Sequence, residues 1–166
     1  MISTLAEHRL PDRCEVAIEL MANICAEGQE LFVAHAREGG MVDGMIDGRR
    51  IDPDFDLFLT LESRGAAFAV GARSDGELVG YLVFVIAPSL ECKGDMIAEQ
   101  SAFFVREDHR GAGSEMHRIG REELKRRRVN HLVIRASVRG RERLALLAER
   151  LGAKYMGKYY YLPLED

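Results

Sequence analysis

The sequence predicts a single α+β domain over 1–166, folded around a mostly antiparallel sheet. Three features carry this expectation. Apolar residues recur every three or four positions through the first third of the chain. They alternate from Ala66 to Val105, and the remainder follows a helix–strand–helix–strand order. With 166 residues, 47% of them apolar and 30% charged, the chain is long enough to bury a core of its own.

Asp12 to about Ala36 reads as helix, because Val16, Ile18, Leu20, Met21, Ile24, Leu31, Phe32 and Ala36 lie near helical spacing. Pro11 and Asp12 suit its start, Gly39-Gly40 suit its end, and Gly28 offers a break point. Met41 to Ile51 mixes Gly, Asp and apolar residues and reads as loop or a short helical turn. Pro53 opens the next helix, with Asp52 as cap and Phe55, Leu57, Phe58 and Leu61 on its buried side. That helix ends before Gly65.

The β-like runs 67–72 and 77–86 flank Arg73-Ser74-Asp75-Gly76, a hairpin signal. Pro88 stops the second strand, Ser89 to Gly94 turns, and Met96 to Val105 forms the third. A glycine loop then leads into a helix from about Gly113 to Arg128, with Met116, Ile119, Gly120 and Leu124 inward. Asn130 to Ser137 is a fourth strand, Arg141 to Leu151 a helix closed by Gly152, and Tyr155 to Leu164 a Tyr-rich terminal strand. The crossover helix would make strands 96–105 and 130–137 parallel neighbours.

Composition narrows the function classes. No apolar run approaches the roughly 20 residues a membrane span needs, and residues 1–13 lack a signal-peptide core. A cytoplasmic protein without membrane partners is the expectation. Cys14, Cys25 and Cys92 are scattered, which points to reduced thiols and no structural metal. The net charge of −4 hides an asymmetry: residues 1–105 carry 8 Lys/Arg against 18 Asp/Glu, whereas 106–166 carry 15 against 9. Such a field steers an anion toward the second half, although a solvated basic helix gives the same pattern. Without interleaved aromatics or an overall basic charge, nucleic acid ranks last among partners.

The sign of the charge changes at Phe103-Phe104-Val105-Arg106-Glu107-Asp108-His109-Arg110-Gly111-Ala112-Gly113-Ser114-Glu115. A strand, a glycine turn and a helix in that order aim bare backbone N–H groups and a helix N-terminus at an anion. A diphosphate needs several such donors converging with no side chain in the way, which glycine permits.

This segment resembles the acetyl-CoA-binding motif of the GNAT superfamily of N-acetyltransferases, in which a strand ending in Val is followed by Arg-Gly-x-Gly-x-Gly/Ala. The likeness extends in element order over about 66–162. Ala87-Pro88-Ser89-Leu90 through Val105, Val129-Asn130-His131, and Glu149-Arg150-Leu151-Gly152 are similar to the prophage- and phage-encoded branch. The resemblance implies a sheet with a splayed parallel strand pair at a cofactor cleft, and acetyl-CoA as acyl donor. By it, the N–H groups of Arg110, Gly111, Ala112, Gly113, Ser114 and Glu115 hold the pyrophosphate, and the edge of Phe103, Phe104 and Val105 pairs with the pantetheine arm. The family's small residue is Glu115 here, a carboxylate that favours the helix dipole and repels a phosphate.

The implied activity is transfer of an acetyl group to a primary amine by direct attack. Glu99 matches a position where some members place their base. Strand alternation would put it on one face with Ile97, Ser101, Phe103 and Val105, where burial raises its pKa. A surface or salt-bridged glutamate is the other reading. The oxyanion donor would be the N–H of Phe104 or Val105. The family's acidic Tyr position is Ala148 and its associated Asn position is Arg141, leaving Tyr155, Tyr159, Tyr160, Tyr161 or water as proton donor. His109 would pack or touch phosphate, and Lys125 to Arg128 would either approach the CoA 3′-phosphate or form a solvated helix end. Helices within 12–64 would build the acceptor side and 66–164 the sheet and cofactor core. The acidic rim of Asp43, Asp47, Asp52, Asp54, Asp56 and Glu62 suits a cationic small-molecule or peptide amine. A homodimer is compatible with the resemblance. The alternative is a catalytically degenerate CoA-binding or interaction module, for which Glu115, Ala148 and Arg141 argue.

Overall fold

The computed structural model describes residues 14–46, 49–136 and 142–157. By internal contacts the chain divides into two compact units, Met1–Arg135 and Ala136–Asp166. The first holds β1 (Glu15–Glu19), α1 (Met21–Glu27), α2 (Gln29–Glu38), a small hairpin of β2 (Met45–Ile46) and β3 (Arg49–Arg50), and α3 (Phe55–Ser63). It continues with β4 (Ala67–Ser74), β5 (Glu77–Pro88), β6 (Met96–Val105), α4 (Ala112–Arg126) and β7 (His131–Val133). The second holds α5 (Glu142–Arg150).

One sheet runs in the order β1-β4-β5-β6-β7. Every pairing in it is antiparallel except β6 with β7, which is parallel. The β4–β5 turn is Asp75-Gly76, both at positive φ (50° and 83°), the geometry a two-residue hairpin needs. Beyond that hairpin, the crossover through α4 returns the chain beside β6. Asn130 locks the parallel register: its N–H donates to Met96 O and its Oδ1 accepts from Met96 N–H, each at 2.9 Å.

The sheet separates two cores. On one face Phe68, Val70, Leu82, Phe84 and Ala98 pack against Met116 and Leu124 of α4. On the other, Tyr81, Val83 and Phe104 meet Met21, Ile24 and Leu31 of α1 and α2. Each fully buried large side chain contributes roughly 1.5–3 kcal/mol of apolar transfer. Gly120 lets α4 lie close to the sheet, since a Cβ there would fall 2.5 Å from Phe84 Cε2.

The first predicted helix is corrected. Its opening is strand β1, and the helical part divides at Gly28 into α1 and α2, a junction that takes glycine because a Cβ there would meet Ile24 O at 2.4 Å. Glu15-Val16-Ala17-Ile18-Glu19 alternates as a strand does, and its apolar residues also fit helical spacing when joined to Leu20 and Ile24. Pairing with β4 decides the matter, reinforced by Arg73, which binds Glu19 of β1 at 3.0 Å and Glu27 of α1 at 2.7 Å. The loop expected over 41–51 contains the β2–β3 hairpin. Asp54, not Asp52, caps α3, its Oδ1 accepting from Leu57 N–H at 2.9 Å. Helix α5 ends on Gly152 as expected, at φ 84°, with Gly152 N–H on Glu149 O and Ala153 N–H on Ala148 O. Asp12, most of the strand expected over 155–164, and Arg141 lie outside the described residues.

Candidate functional site

The parallel pairing of β6 with β7 stops at Glu99 and Val133, while β6 runs on to Val105. Past Glu99, therefore, β6 has one edge on β5 and no strand partner on the other among the described residues. Which amides face that open edge follows from strand geometry. Arg106 N–H donates to Val79, the residue before Gly80 of β5, at 2.9 Å. Successive amides of an extended strand point to opposite edges, so Phe104 also faces β5, and Phe103 and Val105 face outward. Of the two amides expected as oxyanion donors, that of Phe104 is thus turned into the sheet. Its ring is buried too, stacked on His35 of α2 at 5.5 Å.

A β-bulge sets this parity. Val83 pairs with Ala102 and Phe84 with Gln100, which leaves Ser101 as the extra residue of β6. Alternation fails there. Phe103 and Val105 face α4, whereas Glu99 lies opposite Val85 on the other face of the sheet. The single face expected for Ile97, Glu99, Ser101, Phe103 and Val105 is corrected accordingly, and nothing in the local sequence marks the bulge.

The chain leaves β6 through a single 3-10 turn, Glu107–His109, and enters α4 at Ala112. No side chain caps this helix, whose N-cap is Gly111. Gly113 N–H turns back to Arg110 O at 3.2 Å, and the first-turn amides of Ala112 and Ser114 have no acceptor among the described residues. The two glycines differ. A Cβ on Gly113 would lie 3.0 Å from Phe103 Cζ, so packing alone requires glycine there. Gly111 has an ordinary φ of −58° and open space where a Cβ would stand. Among the described residues, no contact and no backbone angle requires glycine at 111.

The charged residues around the loop are engaged. Glu115 is gripped by Arg118 through Nε (2.8 Å) and Nη2 (2.6 Å), which holds its carboxyl below the usual carboxylate range. Arg110 Nη2 reaches Glu38 of α2 at 2.6 Å. His109 Nδ1 lies 2.7 Å from Asp108 Oδ1, without hydrogen-bond alignment. At the far end of α4, Arg126 and Arg127 both bind Glu123, and Arg127 lies over the Phe68 ring at 4.6 Å.

Glu99 lines a cleft of about 270 Å³ with Val85, Ala87, Ile97, Ser101 and Val133. The expected burial is not found: the side chain is 38% exposed, and Oε2 accepts from Arg135 Nη2 at 2.7 Å. Sequence reasoning missed Arg135, which has no motif and meets Glu99 only through the parallel pairing. It also missed His117. That ring is fully buried on α4, edge-on to Phe103 at 4.9 Å, with neither nitrogen partnered. Burial, then Arg121, lowers its pKa to about 4. Within the acidic rim, Asp54 serves as a helix cap and Asp52 lies 3.8 Å from Arg50. Cys92 is an exposed free thiol and Tyr155 is exposed. No described helix is long and apolar enough to cross a membrane.

Solved structures of acetyltransferases share this fold. A ribosomal-protein-alanine N-acetyltransferase from Brucella melitensis biovar Abortus 2308 superposes with a TM-score of 0.67 at 23% identity, over 90% of this chain and 99% of that one. An aminoglycoside acetyltransferase from an uncultured soil metagenomic sample, solved with sisomicin, gives 0.68 at 14% identity over 92% and 97%. A predicted acetyltransferase from Clostridium acetobutylicum, solved with acetyl-CoA, gives 0.68 at 12% identity over 91% and 96%. No protein-family model and no curated relative matches the chain.

Proposed function

We propose that this protein is an acetyl-CoA-dependent N-acetyltransferase acting on a primary amine. The observation that carries the reading is two groups of outward amides, those of Phe103 and Val105 on the open edge of β6 and those of Ala112 and Ser114 in the uncapped first turn of α4 beside Gly111. The residues fit the donor: a pantetheine arm has amides that pair with a strand edge, and a diphosphate fits bare N–H groups at a helix start. Of the amides from Arg110 to Glu115, those of Ala112 and Ser114 would hold the diphosphate, since that of Gly113 is turned to Arg110 O, and Glu115 is masked by Arg118. Acetyl-CoA supplies the activated acyl group.

Glu99 takes one proton from the acceptor ammonium and passes it to solvent. The freed amine nitrogen forms the C–N bond as the C–S bond breaks, and the second N–H proton ends on the departing thiolate. Phe103 N–H, the outward amide nearer Glu99 along β6, stabilises the carbonyl oxygen as it gains charge, and Val105 N–H holds the arm behind it. This order moves the oxyanion role one residue upstream of Phe104. A thiol-release assay against an amine panel tests the reading, with Glu99→Gln expected to lower turnover about 10²–10⁴-fold near neutral pH. Unchanged turnover in that variant rejects Glu99 as the base.

The second reading, a CoA-binding module without turnover, is favoured by one observation: the Glu99 carboxylate is half-exposed and already paired with Arg135. Acetyl-CoA binding with no thiol release across the panel would select it.

A further inference from the structure

The contact between Glu99 and Arg135 also bears on which amine the site takes. Among the described residues, the cleft presents one carboxylate, Glu99, with apolar walls from Val85, Ala87, Ile97 and Val133 and with Ser101 also in its lining. Apolar walls beside one negative charge are complementary to an unbranched alkyl chain ending in a cation. The chain's own Arg135 is such a group, and its guanidinium sits on Glu99 Oε2 at 2.7 Å. A carboxylate that must receive an ammonium is therefore occupied at rest by a cation of the same protein.

We infer that the acceptor is an unbranched alkylamine, of the kind found in an aliphatic diamine or a lysine side chain, and that it displaces Arg135 from Glu99 when it binds. This rests on the transferase reading for the site but not on turnover. Displacement is inexpensive: Arg135 is 53% exposed, and an ion pair this open to water is weak. Arg135 is then a positioning residue that sets the threshold for acceptor affinity.

Cadaverine is the probe, added to the full chain in the presence of acetyl-CoA. Binding is read from methyl NMR shifts of Val85, Ile97 and Val133, which also report whether each variant is folded. Cadaverine should shift these methyls in the unmodified chain, bind about two- to five-fold more tightly in Arg135→Gln, and lose its effect in Glu99→Gln. No shift in either the unmodified chain or Arg135→Gln overturns the inference. Equal or weaker binding in Arg135→Gln overturns it too, since Arg135 would then be holding Glu99 in place. Thiol release from the same samples separates the two claims. Bound cadaverine without turnover counts against the transferase, whereas turnover of another amine with no methyl shift counts against the alkylamine trough alone.

Discussion

The ring of Phe103 lies so close to Gly113 that a Cβ on that glycine would come within 3.0 Å of Phe103 Cζ, while Gly111, two residues earlier, faces open space. One motif thus contains two glycines with different physical reasons. Gly113 seats the start of α4 against the strand whose outer edge is proposed to grip the donor. Gly111 keeps the approach to the helix amides clear.

Substitution separates these roles. Gly113→Val forces the Phe103 ring aside and should cost about 2 kcal/mol of stability, as overpacking usually does. Gly111→Ala should leave stability within about 0.5 kcal/mol and weaken acetyl-CoA binding roughly tenfold or more, because its methyl would stand where the diphosphate approaches. Chemical unfolding and titration calorimetry on both variants check this. Loss of stability in Gly111→Ala with binding intact would reverse the assignment.

Stability should fall in mild acid because of His117. Its folded pKa of about 4 lies below its unfolded value of 6.5, so between those limits the unfolded chain binds more protons and stability rises with pH. The contribution is complete above about pH 6.5 and is lost as the pH falls toward 4, on the order of 2 kcal/mol by pH 5. Urea unfolding at pH 7.5 and pH 5 should show this difference in the unmodified chain and a smaller one in His117→Phe. Parallel losses in both would place the acid sensitivity elsewhere.

Arg118 should matter for the donor although it need not touch it. It neutralises Glu115 on the first turn of α4. Arg118→Gln unmasks that carboxylate and is expected to weaken acetyl-CoA about three- to tenfold at low salt, with less effect at high salt. Adding Glu115→Gln should restore the affinity. If Arg118→Gln binds as the unmodified chain does, Glu115 is not near the bound phosphates.

The sequence made the sheet's centre readable and its margins obscure. Alternation from Ala67 onward, the Asp75-Gly76 turn and Pro88 defined β4 and β5, and the span expected for β6 is the one observed. Short runs were harder. Glu15–Glu19 fits both periods, and only the hydrogen-bonding edge of β4 makes it a strand. The proposed site was legible where it would be made of backbone, because glycines and the strand–turn–helix order report backbone needs directly. It was illegible where it depends on side chains from distant segments. The Ser101 bulge moves Glu99 to the other face, and Arg135, 36 residues away, meets it through tertiary pairing.

Acetyl-CoA binding measured by thermal unfolding tests the central claim, that the β6 edge and the first turn of α4 form a donor seat. At a concentration 100 times the dissociation constant, binding adds about 2.7 kcal/mol, so 1 mM acetyl-CoA at micromolar-scale affinity should raise the Tm by about 5–10 °C. That rise should be roughly halved, or smaller, in Gly111→Ala, where a tenfold weaker affinity leaves about 1.4 kcal/mol. A Tm unmoved by millimolar acetyl-CoA in the unmodified chain would contradict the account.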